Sequence, residues 1–98
     1  MSVIDLYLLY QLVAVVEMRP HWTWENYSTA LGVSRKTIHN IIERAKADEI
    51  GVMIMRKGTK RDGYWQVEEL GILESDYARS HIEAAKRAYK LKPIPIPQ

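Results

Sequence analysis

The sequence predicts a mainly α-helical fold with one small β-hairpin, and three observations predict it. Apolar residues recur at helical spacing over most of residues 3–18, 24–47 and 75–91. A glycine, Gly32, stands where two short helical patterns meet. Two short runs of strand character, 52–56 and 64–68, flank a polar loop that contains Gly58 and Gly63. At 98 residues the chain is the size of one domain.

The first helix is expected over Val3 to Met18 and carries apolar residues around most of its circumference. A helix with one buried face needs only about three apolar positions in seven. This excess predicts that two faces are covered, one by the chain itself and the other by a second copy. The contacts expected there are Leu6, Leu9, Tyr10, Val13, Tyr77 and Ile82. The alternative is that the C-terminal helix covers the second face within the same chain. Arg19-Pro20 ends the helix, because proline cannot continue its hydrogen-bond ladder. Thr23 is placed to cap a second helix over 24–31, with Glu25 in its first turn.

Gly32 ends that helix in a left-handed conformation that glycine adopts without steric cost. Ser34 offers its hydroxyl to the free amides of a third helix over 35–47. Leu31, Val33, Ile38, Ile41 and Ile42 turn inward. Arg35, Lys36, His39, Asn40, Glu43 and Arg44 remain outside. The strands at 52–56 and 64–68 form a hairpin whose tip is basic, with Met53 and Met55 expected in the core. Trp22, Trp24 and Trp65 are read as packing residues ahead of base-stacking platforms. Gly71 separates the hairpin from a final amphipathic helix over 75–91, whose apolar stripe is Tyr77, Ile82, Ala85 and Tyr89. In residues 92–98 prolines at 93, 95 and 97 alternate with isoleucines at 94 and 96, a tail expected to be extended without a sheet partner.

The net charge is only +2, but its distribution is uneven. Residues 34–61 hold eight basic side chains against three acids, and the remainder holds six against nine. A polarised chain of this kind presents a positive face to polyanions. The absence of cysteine excludes disulfides and thiolate metal sites and suits a reducing cytoplasm. The apolar run at 3–18 is interrupted by Asp5, Gln11 and Glu17 and is shorter than the roughly 20 residues of a membrane span. No basic segment precedes it and no small-residue cleavage site follows, so neither a secretory signal nor a membrane partner is expected.

Catalysis is not expected. His21, His39 and His81 lack metal-ligand spacing. The glycines open no helix after a strand, and no nucleophile motif is present. Glu68 and Glu69, adjacent on a strand, point to opposite faces. No cofactor, metal or small-molecule effector is indicated.

The order helix, helix, glycine turn, basic helix, basic hairpin resembles the winged helix-turn-helix family of DNA-binding proteins. Gly32 occupies the turn, Leu31, Val33, Ile38 and Ile41 the buried positions, and Val52 to Val67 the wing. Ser28 stands where the family usually has alanine. The resemblance covers roughly residues 3–70 and is closest in style to compact regulators of bacteria, phages and plasmids. It implies a three-helix core plus wing, here with an additional C-terminal helix, so that 1–91 form the domain and 92–98 a tail. It implies sequence-specific binding of double-stranded DNA by a homodimeric transcriptional regulator. Carried over by position, the major-groove helix contributes Ser34, Arg35, Lys36, Thr37, His39, Asn40 and Arg44, and the wing contributes Arg56, Lys57, Lys60 and Arg61. Arginine or lysine suits guanine, asparagine suits adenine, and Ser34 and Thr37 suit phosphate. Two alternatives stay open: a protein-interaction module of the same fold, and an accessory of DNA replication, excision or packaging.

Overall fold

In a computed structural model that describes residues 5–91, the chain is mainly helical with one two-stranded antiparallel hairpin. Helices α1 (Leu6–Met18), α2 (Trp24–Leu31) and α3 (Arg35–Ala45) are followed by strands β1 (Met53–Lys57) and β2 (Tyr64–Glu69). A 3-10 turn, Gly71–Glu74, leads into α4 (Asp76–Leu91). The proline tail expected at 92–98 and the start of the first helix expected at Val3 lie outside the described residues.

Short-range chemistry fixes the helix ends. The Asp5 carboxylate accepts from the Leu8 amide at 3.1 Å and caps α1. Thr23 and Asn26 cap α2 reciprocally, each side chain accepting from the other's amide, at 3.1 and 3.2 Å. Gly32 closes α2 at φ 70°, and its amide donates back to Ser28 and Thr29. Ser34 caps α3 and Ser75 caps α4, accepting from the amides three residues on. Ser28 is buried, but its hydroxyl donates to the Glu25 carbonyl at 2.8 Å, so serine in an alanine-sized position leaves no unpaired polar group.

The packing centres on α1. Leu9, Leu12, Val13 and Ala14 are wholly buried, and α1 touches α2, β2 and α4. Helix α4 runs parallel to α1. Near their starts His81 stacks on Tyr10 at 5.3 Å, and near the end of α1 the Lys86 ammonium meets the Glu17 carboxylate at 2.8 Å. The expected contact set for a second copy is therefore corrected. Leu9, Val13 and Ile82 are spent in the intrachain core and Tyr10 lies under His81, because α4 supplies the second cover that an all-round apolar helix requires. Of that set only Leu6 and Tyr77 stay open, at 36% and 65% exposure.

Other departures have local causes. Helix α3 ends two residues early, where Ala47, Ile50 and Gly51 amides turn back onto the carbonyls of Arg44 and Ala47. Met55 is 41% exposed and not in the core: Ile54 points inward, and the next strand residue must point out. On α4 the buried stripe begins with Ala78 in place of Tyr77. Gly71 is a packing point and more than a spacer. It has φ 51°, and a side chain there would strike the backbone of Ile50 and Gly51. The Ile72 amide donates to the Ile50 carbonyl at 2.9 Å, which ties the end of the hairpin to the loop after α3.

Tyr27 joins α2 to the end of α1. Its ring is buried and its hydroxyl donates to the Arg19 carbonyl at 2.6 Å. Burial pushes the phenol pKa well above the ordinary tyrosine value of 10.0. The folded state favours the neutral phenol, so its stabilisation is complete below that value and is lost as pH rises beyond it. Tyr27→Phe is expected to lower unfolding free energy at neutral pH by about 1 kcal/mol and to flatten the loss of stability above pH ~10. Urea denaturation of both proteins at neutral and alkaline pH measures the two effects.

Candidate nucleic-acid interface

Helix α3 divides sharply between its two sides. Ile38, Ile41, Ile42 and Ala45 are buried, whereas Arg35, Lys36, His39, Asn40, Glu43 and Arg44 are exposed. The apolar residues lie three and four apart, so the polar ones fill one continuous outer face. At the N-terminus the Ser34 hydroxyl accepts from the Thr37 amide at 3.1 Å and lies 2.9 Å from the Thr37 hydroxyl. Both hydroxyls are thus held at the positive end of the helix, beside its free amides. Glu43, the one acid of the outer face, is joined to Lys46 at 2.7 Å. That hydrogen bond, with the lysine's charge, holds its carboxyl below the usual range, so it stays ionised and locally neutralised. Arg35, Lys36 and Arg44 make no ion pair among the described residues.

The four hairpin cations fall into two classes. The Arg56 guanidinium packs over Gly63 and donates to the Lys60 carbonyl at 3.4 Å, bracing the loop from within. Lys57 is paired with Glu68 on the adjacent strand, and this contact raises its pKa. Lys60 and Arg61 are exposed at the tip and carry no ion pair among the described residues. The tip itself is ordered by local bonds. Gly58 adopts φ 85°, where a side chain would meet the Asp62 carbonyl at 2.9 Å, and the Thr59 hydroxyl accepts from the Asp62 amide at 2.9 Å. The opposite end of the hairpin is acidic: Glu68, Glu69 and Glu74 line a shallow groove with Glu17.

An aromatic bridge joins the two cationic elements. Trp24, the first residue of α2, lies 5.1 Å from the His39 ring on α3 and 5.4 Å from the Trp65 ring on β2, ring centre to ring centre. The Trp65 amide donates to the Pro20 carbonyl at 2.7 Å, and His21 approaches the Gly63 carbonyl at 3.4 Å and the Tyr64 ring at 6.1 Å. The hairpin is therefore anchored to the α1–α2 connection, and the outer face of α3 reaches it through one indole. Trp22 is buried, while Trp24 and Trp65 are half-buried and pack against the core. The sequence pattern identified these tryptophans as packing residues. It held no signal that they pair, since 41 positions separate Trp24 from Trp65.

Among the described residues no group of histidines and carboxylates is arranged to hold a metal ion, and no helix is long and apolar enough to cross a membrane. The geometry presents exposed cations, an asparagine and hydroxyls on one helix, with two further cations on a braced loop linked to it. Such a set can donate to phosphates and to base edges.

Because Ser34 satisfies an otherwise free amide of α3, Ser34→Ala is expected to destabilise the fold by about 1 kcal/mol, read as a lower urea midpoint with unchanged slope. No protein-family model, curated protein or solved structure matches this chain.

Proposed function

We propose that this chain is a winged helix-turn-helix protein that binds double-stranded DNA sequence-specifically and regulates transcription as a cytoplasmic homodimer. In this reading α2 and α3 form the helix-turn-helix, α3 enters the major groove, and the β1–β2 hairpin is the wing. The observation that carries the reading is the bridge from His39 through Trp24 to Trp65, which links the cation-bearing face of α3 to the cation-tipped hairpin. A duplex carries one phosphate charge per roughly 1.7 Å of axis, so two linked cationic elements can engage neighbouring stretches of one backbone.

The roles follow from side-chain chemistry. Arg35 and Lys36, at the first turn of α3, donate to guanine, and Asn40, one turn further, pairs with adenine. Ser34, Thr37 and the free amides of α3 hold a phosphate. Arg44 and the wing-tip pair Lys60 and Arg61 take adjacent phosphates. His39 packs at a tilt against Trp24 and bridges to the backbone. Arg56 and Lys57 act mainly by shaping the wing, since each is engaged inside the hairpin.

Selection of bound duplexes from a random pool tests the reading. The expected result is an enriched sequence with twofold-related half-sites about one helical turn or a multiple apart, bound with an affinity that falls steeply with salt. Arg35→Ala or Asn40→Ala should relax base preference and cost roughly 1–3 kcal/mol. Lys60→Ala should weaken all duplexes alike, and more than Lys57→Ala does. A pool that shows no enrichment, with binding indifferent to ionic strength, would overturn the proposal.

A further inference from the structure

The outer face of α4 carries a charge pattern that is its own complement. Asp76, Arg79, Glu83 and Arg87 are all exposed and line one shallow groove with Ser80. Their spacing of three, four and four residues keeps them on one side of the helix. Read along the chain the charges alternate acid, base, acid, base, and read backwards they alternate base, acid, base, acid. An antiparallel copy of the helix, related by a twofold axis near residues 81 and 82, therefore sets Asp76 against Arg87 and Arg79 against Glu83, each pair twice. A parallel copy in register would set like against like. Arg79 and Arg87 make no ion pair among the described residues, and Glu83 reaches only Lys86, at 3.6 Å.

The same face ends in exposed apolar area. Tyr77 is 65% exposed and Tyr7, packed with it around the His81 ring, is 61% exposed. Exposed tyrosines rimmed by charge suit an interaction surface, where this residue type is enriched. The twofold arrangement puts Tyr77 at each end of the contact, beside Arg87 of the second copy, where a guanidinium can lie on the ring. Ser80 and Ala84 are exposed and small, so no bulky side chain at the centre holds the two helices apart. Helix α4 packs on α1 and the 3-10 turn, and α3 packs on α2 and β1, so pairing through α4 leaves the α3 face open.

We infer that the occupant of this face is a second copy of the chain, docked antiparallel through α4. This names the surface for the homodimer proposed above and rests on that part of the reading alone; it is measured on protein without DNA. Sedimentation equilibrium of the full chain should show dimers. Arg79→Glu and Glu83→Arg should each weaken dimerisation roughly tenfold or more by setting like charges together, with helical content unchanged by circular dichroism. The double variant Arg79→Glu/Glu83→Arg restores every opposite pair and should recover dimerisation to near the original strength. Rescue by the double variant is a result that simple loss of folding does not produce. A chain that stays monomeric, or a dimer that neither single variant weakens, would overturn the inference. Loss of dimers with DNA contact retained at single half-sites would leave the DNA reading intact.

Discussion

The architecture rests on one requirement, that α1 be covered around most of its circumference. Its apolar residues leave little of its surface suited to water, and Leu9, Leu12, Val13 and Ala14 have none of their surface exposed. At roughly 25 cal/mol per Å² of apolar area, leaving one such face open would cost more than most polar contacts in a domain of this size return. The chain meets the requirement by wrapping. Helix α2 and strand β2 take part of the surface, and α4 returns from the far end of the sequence to take another. The Glu17–Lys86 contact marks the register of that return, but both groups are partly exposed, so the apolar seam and not the ion pair holds α4 in place.

The same requirement leaves α3 with one packed side. With α1 engaged elsewhere, α3 packs on α2 and β1. Its other side stays polar without loss of core. Hydrophobic packing fixes where α3 lies, and the tryptophan bridge ties that position to the hairpin. Among the described residues of these two elements, Arg35, Lys36 and Arg44 on the helix and Lys60 and Arg61 on the loop make no ion pair, while Arg56 and Lys57 keep the loop's shape. Four acids, Glu17, Glu68, Glu69 and Glu74, gather at the other end of the hairpin. A modest net charge therefore coexists with an uneven distribution of charge along the chain.

Features governed by neighbours in the chain were legible from the sequence. Thr23 and Ser34 cap their helices as expected and Gly32 adopts the expected left-handed conformation, all through partners within four residues. The strands at 53–57 and 64–69 lie within a residue of their expected limits, because the glycines and the polar loop between them are local signals. What was not legible depends on distant packing. Nothing in the pattern around Leu9 or Val13 separates cover by α4 from cover by a second chain. Tyr77 belongs to a helical stripe by spacing, yet the packing of α4 on α1 buries Ala78 in its place. Gly71 looks like a spacer until Ile50 is seen against it. For the candidate site, the residue types on α3 were readable, whereas the internal use of Arg56 and Lys57 and the link from Trp24 to His39 required the fold.

The central claim is that the outer face of α3 and the hairpin tip form a single surface for duplex DNA. Titration of isotope-labelled protein with the duplex that it selects, followed by backbone amide chemical shifts, tests this directly. The account predicts that the largest changes cluster at residues 34–44 and 58–63, with the outer face of α4 little affected. Changes confined to α4 and the start of α1, or none beyond those that any polyanion produces, would contradict it.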